Sequence, residues 1–305
     1  MRSYFIAALI ACLLARFVPT AAAEDAHYAQ AENVVFGEVH GVGLLMDVFT
    51  PKGERNGLGI VDVMSGAWHS DRGKIRDHTR AQTFEILCRK GYTVFAVRPG
   101  SITKFSAPEM LAHLNQGILW VKEHSKDYGI DPDRLGLMGA SAGGHLACLA
   151  AVTAAKEPAE VAGQSAKTED TRVRAVAVFF PPTDFLNYGG KAIDARADDR
   201  LGQLVRRLVG SPGTVVTMAD ELTEKITQIS PARLVTPRAP PFLLIHGDAD
   251  PVVPLQQSEV MLAALKKAGV SAELIVKPGG GHPWLTLHEE VQLVADWFDK
   301  QLVSK

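Results

Sequence analysis

Cysteine is scarce in this sequence. Its 305 residues carry only Cys12, Cys88 and Cys148, too few for a disulfide framework. Cys88 and Cys148 both lie in apolar helical patterns, Phe84–Cys88 and Leu146–Leu149, where a buried thiol acts as a small hydrophobe. A single Cys88–Cys148 bridge stays open, and neither residue has a metal-ligand neighbourhood. Charge of one sign is lacking too. The 32 Lys and Arg residues nearly balance the 34 Asp and Glu, for a net charge of −2. That balance leaves no electrostatic footprint for nucleic acid or an anionic membrane surface. The richest basic stretch, Arg196 to Arg207, is interleaved with Asp198 and Asp199 and follows Asp194, which reads as a solvated helix face. Beyond the N-terminus no segment approaches the roughly 20 apolar residues that a membrane helix needs.

The N-terminus itself has a leader pattern. Arg2 precedes an apolar stretch from Phe5 to Leu14, and Ala21-Ala22-Ala23 supplies small residues before Glu24. Residues 1–23 therefore read as a secretory signal peptide cleaved near Ala23–Glu24. Arg16 and Pro19 make the run short for a membrane anchor. The expectation is export, periplasmic or extracellular, with no membrane span in the mature chain. Cys12 would leave with the leader.

What the chain does have is apolar material, 47% of its residues, enough for one large core in a single domain over residues 24–305. Asn33–Glu38 and Leu44–Phe49 read as a hairpin through Gly41 and Gly43. Thereafter strands and helices alternate. The strands are Leu58–Met64, Tyr92–Val97, Arg134–Met138, Arg174–Phe180, Phe242–His246 and Ala272–Val276. The helices are Lys74–Lys90, Pro108–Tyr128, the run from Ala142 to about Ala155, Leu255–Ala268 and Leu287–Leu302. Continuous apolar strands separated by helices predict an α/β fold, a mostly parallel central sheet with helices on both faces. The exception is Thr183–Thr236, two short helices (about Ala195–Val209 and Met218–Gln228) around Gly210-Ser211-Pro212-Gly213. An excursion of that size reads as a small lid insertion, about residues 183–236.

The most informative segment is Gly139-Ala140-Ser141-Ala142-Gly143, between an apolar strand and an Ala- and Leu-rich helix. A serine on such a strand-to-helix turn holds its hydroxyl exposed. The helix N-terminus beside it favours developing negative charge. A serine nucleophile needs a base, and the base an orienting acid. His282 follows three glycines after the last strand, and Asp248 and Asp250 follow the strand before it. The two acids compete. Asp248 suits an Asx-type turn, whereas Asp250 precedes Pro251, whose ring restricts its backbone to extended conformations. Asp250 is the preferred acid, and His246 reads as a buried strand-end residue. Two backbone donors are needed for an oxyanion. Ala142 supplies one, and the loop Ser65-Gly66-Ala67-Trp68 after the Leu58–Met64 strand supplies the other, from Gly66 and Ala67. Trp68 is a candidate flank of the acyl pocket, with a packed aromatic as the alternative.

These residues resemble the α/β-hydrolases, close to the feruloyl- and acetyl-esterase-like and hormone-sensitive-lipase-like serine esterases. The resemblance rests on Gly129–Arg134 leading into Gly139–Gly144, on Pro241–Pro254 (PFLLIHGDADPVVP) and on Gly279–His282. It implies the α/β-hydrolase fold and a serine carboxylesterase with Ser141, Asp250 and His282 as its triad. It also implies no metal or organic cofactor and an ester substrate, short-chain acyl or polysaccharide-linked acetyl or feruloyl. Relatives carry H-G-G-G-W in the oxyanion loop, where this chain has Met64-Ser65-Gly66-Ala67-Trp68. Two alternatives remain at this level, a serine peptidase like the prolyl oligopeptidases and a non-catalytic binding protein of the same fold. The sequence sets no oligomeric state.

Overall fold

The computed structural model describes residues 26–154, 170–210 and 219–303. The proposed leader and most of the loop expected before Thr171 lie outside the described residues, as do positions 211–218 within the insertion. The chain opens with a hairpin, β1 (Tyr28–Val39) and β2 (Val42–Pro51), turning at His40-Gly41, both with positive φ. There follow β3 (Gly59–Val63), α1 (Arg72–Arg80), α2 (Thr83–Arg89), β4 (Thr93–Arg98), α3 (Ala107–Glu123) and a short α4 (Ser125–Tyr128). The middle of the chain gives β5 (Gly136–Ala140), α5 (Ala142–Ala154), β6 (Ala175–Phe179), α6 (Arg200–Val209) and α7 (Ala219–Gln228). The last third adds β7 (Phe242–Gly247), α8 (Gln256–Lys267), β8 (Ala272–Lys277) and α9 (Leu287–Phe298).

The eight strands form one sheet in the order β1-β2-β4-β3-β5-β6-β7-β8. Only the β1–β2 and β2–β4 pairings are antiparallel; the rest are parallel. Strands β3, β6 and β7 are buried along their whole length, as a sheet covered on both faces requires. Alternate side chains feed two separate cores. Val61, Val63, Phe95, Val97 and Leu137 pack under α3, α5 and α8, while Ile60, Val94, Ala96 and Met138 pack under α2 and α9. The parallel strands put their C-terminal ends on one edge, where ligands bind in open α/β sheets.

Several expected boundaries move for local reasons. The single helix Lys74–Lys90 is two, because Gln82 adopts a left-handed φ of 58° and ends the first. Across the break His78 of α1 stands 2.7 Å from the buried Asp62 and Phe84 of α2 stacks on Phe49; Ile75 would lie half a turn from Phe84 in one continuous helix, and the break brings both into the same core. The expected Pro108–Tyr128 helix stops at Glu123, where His124 folds back to stack on Trp120 and bond its carbonyl. The expected Ala195–Val209 helix starts at Arg200, since Asp199 caps it by accepting from the Gly202 N–H. The final helix ends at Phe298, and a wider helical turn over Asp299–Val303 completes the expected range.

The Cys88–Cys148 bridge is excluded. Cys88 belongs to the core under α2 and α9, Cys148 to the opposite one, and the sheet lies between the two thiols. Burial pushes the Cys88 thiol up to about 12 and the Cys148 thiol higher still.

Candidate active site

At the C-terminal end of β5 the chain turns sharply into α5, with Ser141 in the left-handed region at φ 53°. A non-glycine residue held there costs about 1–2 kcal/mol, so the surroundings must enforce it. They do so through two glycines. A Cβ on Gly139 would stand 2.6 Å from the Gly143 carbonyl, and one on Gly143 would overlap the Val63 carbonyl oxygen of β3. The Ser141 N–H donates to the Phe179 carbonyl and the Gly143 N–H to that of Ser65, each at 2.9 Å. The turn is thus wedged between β3 and β6.

The loops after β7 and β8 deliver the other two groups. His282 Nε2 lies 2.9 Å from Ser141 Oγ, and its Nδ1 lies 2.6 Å from Asp250 Oδ2. The Asp250 carboxylate is fully buried. Burial alone would raise its pKa, but hydrogen bonds from His246, His282 and the Val253 and Val252 N–H groups outweigh it and hold the carboxyl well below the usual range. A carboxylate so held stays ionised and fixes the imidazole with Nε2 facing the serine. Asp248 accepts from the Gly279 N–H at 2.6 Å, joining the two loops instead of reaching the histidine. His246 is buried at the strand end, its Nε2 2.9 Å from the Val253 carbonyl and 3.5 Å from Asp250. Sequence reasoning missed that support, although the adjacency His246–Asp250 was visible as an i, i+4 pair. It also missed Phe180, whose ring packs 4.4 Å from the His282 ring.

The loop after β3 corrects one expected donor. The Gly66 N–H already donates to the His69 carbonyl at 3.0 Å, and the Gly66 carbonyl accepts the His69 N–H at 2.9 Å. Gly66 therefore closes the loop and has no N–H to offer an oxyanion. Among the described residues the Ala67 and Ala142 N–H groups have no partner. Ala67 and Trp68 follow each other in the left-handed region, at φ 47° and 58°. Trp68 is 5% exposed, packed against Phe185, with its indole N–H donated to His145 Nδ1 at 3.0 Å. It is a packed aromatic, the alternative reading of the sequence. The root of the insertion docks nearby, with the Tyr188 hydroxyl donating to the Val252 carbonyl and Arg233 paired with Asp184 at 2.7 Å.

A serine on the turn after the fifth strand, aligned with a histidine and an aspartate from later strand ends of a mostly parallel sheet, defines an α/β-hydrolase. Within that class the chain belongs to the BD-FAE family of esterases, whose model matches residues 46–265. Among curated relatives it is similar to the esterase LipQ of Mycobacterium tuberculosis, 31% identical over 217 residues, 70% of this chain and 46% of that one. The probable carboxylic ester hydrolase LipM of the same organism is 29% identical over 79% of this chain and 52% of its own. The chain thus spans about half the length of these relatives. Among solved structures, a truncated carbohydrate esterase from gut microbiota shares the fold with a TM-score of 0.74 at 24% identity, covering 92% of this chain and 99% of that one. An esterase of Thermogutta terrifontis does so with a TM-score of 0.65 at 23% identity over 88% and 91%.

Proposed function

We propose that the protein is an exported serine carboxylesterase in which Ser141 attacks the ester carbonyl. His282 takes the serine proton and returns it to the leaving alcohol, while Asp250 holds the imidazole and stabilises the imidazolium. The Ala67 and Ala142 N–H groups receive the oxyanion, and water releases the acyl group from Ser141. The single observation that carries this reading is the hydrogen-bonded file of Ser141, His282 and Asp250 beginning on a left-handed serine. The substrate class proposed is a short-chain acyl ester, including acetyl or feruloyl groups on a polysaccharide, in keeping with the carbohydrate esterase among the structural neighbours. Residues 183–236 form its lid, rooted on the acid loop through Tyr188.

Ser141→Ala is expected to lower turnover of an aryl acetate by about 10⁴- to 10⁶-fold with an unchanged melting temperature. Turnover retained in that variant sinks the proposal. Dipeptidyl amides in the same assay separate it from the peptidase alternative. Export rests on Arg2, the apolar Phe5–Leu14 and Ala21–Ala23; N-terminal sequencing of the exported chain is expected to begin at Glu24.

A further inference from the structure

Two consecutive left-handed residues without a glycine between them do not hold themselves. At roughly 1–2 kcal/mol each, Ala67 and Trp68 need tethers from outside the loop. The backbone supplies two, the Gly143 N–H on the Ser65 carbonyl and the Ile102 N–H on the Trp68 carbonyl at 2.8 Å. The third is a side chain, His145, buried completely in the first turn of α5 four residues after Ser141. Its Nδ1 stands 3.0 Å from the Trp68 indole nitrogen and its Nε2 2.7 Å from the Ile229 carbonyl, just past α7.

The chemistry of those two partners leaves one state for the ring. An indole N–H only donates, so Nδ1 bears a lone pair; a carbonyl only accepts, so Nε2 bears the proton. His145 is therefore a neutral imidazole with both nitrogens engaged. Burial pushes its pKa down to about 4, against a small opposing pull from the Ile229 carbonyl. Phe185 packs against both the Trp68 and the His145 rings, with centroids 6.1 and 5.3 Å away. One side chain thus joins the loop that bears the Ala67 N–H, the helix that begins at the nucleophile, and the end of the insertion.

We propose that His145 is a positioning residue for the oxyanion hole, holding Trp68 through Nδ1 so that the Ala67 N–H stays aimed at the tetrahedral oxygen. The inference rests on the esterase reading above and goes beyond it. It gives the histidine a role in turnover and makes the Nδ1 bond the one that matters. The Nε2 bond to Ile229 anchors the insertion and is secondary for catalysis.

Two substitutions separate the two nitrogens. An Asn oxygen falls where Nδ1 stands, so His145→Asn keeps an acceptor for Trp68 and loses the Ile229 bond. A Gln amide reaches where Nε2 stands, so His145→Gln keeps the Ile229 bond and strands the indole N–H. Both remove one buried hydrogen bond and replace the ring with a smaller open-chain amide, so a purely structural role would lower kcat in step with the melting temperature. The expected result is a kcat for His145→Gln about tenfold below wild type with KM little changed, and a kcat for His145→Asn several-fold above that of His145→Gln. Affinity for a trifluoromethyl ketone, whose hemiketal oxygen occupies the oxyanion hole, should fall in parallel with kcat. Equal kcat values in the two variants, or values that merely follow stability, overturn the proposal. Should neither variant fold, Trp68→Phe removes the donor directly, and an undiminished kcat there overturns it equally. Labelling of wild-type Ser141 by a fluorophosphonate, together with wild-type ester turnover, reads the underlying function separately, so a failed esterase assignment is not mistaken for a failed role of His145.

Discussion

Two neighbouring turns leave the sheet in strained conformations, and they are held by different means. The turn at Ser141 is enforced by backbone against backbone. Gly139 and Gly143 let the chain pass so close to itself and to β3 that no other residue fits. The turn at Ala67–Trp68 has no such wedge. It closes on itself through Gly66 and His69 and is held from outside through Trp68, Ile102 and His145. Both turns lean on distant parts of the chain, but the first does so through backbone that its own two glycines admit, whereas the second needs a side chain 77 residues away. Steric enforcement is rigid and all-or-none, whereas side-chain tethering is graded and can be tuned.

The most severe way to break that contrast is at the wedge. Gly143→Ala drives a methyl into the Val63 carbonyl, and we expect about 3 kcal/mol of destabilisation together with loss of turnover, measured by urea unfolding and ester hydrolysis. A variant of near wild-type stability would show the wedge to be softer than its geometry implies. The tethered turn responds more gently, to pH. Folded His145 titrates near 4, against 6.5 for an ordinary histidine, so between those values the unfolded chain binds the extra proton. Its contribution to stability is complete above pH 6.5 and is lost as pH falls toward 4, about 2 kcal/mol of it by pH 5. His78, whose pKa Asp62 raises against the effect of burial, opposes it, so the informative quantity is the difference between wild type and His145→Asn. That difference should shrink as pH falls from 7 to 5. A constant difference would mean that His145 does not titrate as an isolated buried imidazole.

The same contrast explains what was legible in the sequence. The alternation of strands and helices was readable because the central strands β3, β6 and β7 are buried on both faces, and burial writes continuous apolar runs such as Phe242–Ile245. The Ser141 turn was readable because the glycines it needs flank the serine in sequence, even though the backbone they meet comes from β3 and β6. The preference for Asp250 over Asp248 came from a backbone restriction at Pro251, and the geometry sets Asp250 beside His282 and Asp248 beside Gly279. What was not readable depends on distant partners. Gly66 looked like a donor because small residues suit close approach, yet its N–H is taken by His69 in a bridge that no composition announces. The break at Gln82 was hidden because α1 buries only Ile75 and so carries no apolar period of its own for a break to interrupt, and because no glycine or proline marks the left-handed residue. His145 was hidden among Ala and Leu in a helix whose face is buried all round, where one polar side chain carries no period of its own.

The two thiols give the molecule a use that its chemistry did not require. Cys88 faces its core from α2 and Cys148 the opposite core from α5, and each is too buried and too weakly acidic to react while its layer stays closed. With the sheet between them they cannot quench each other as a disulfide. They therefore act as two clocks, one per layer, whose labelling rates time the opening of each face. If the layers open together the clocks agree; if one helical layer peels away first, the thiol beneath it reacts ahead of the other and identifies it.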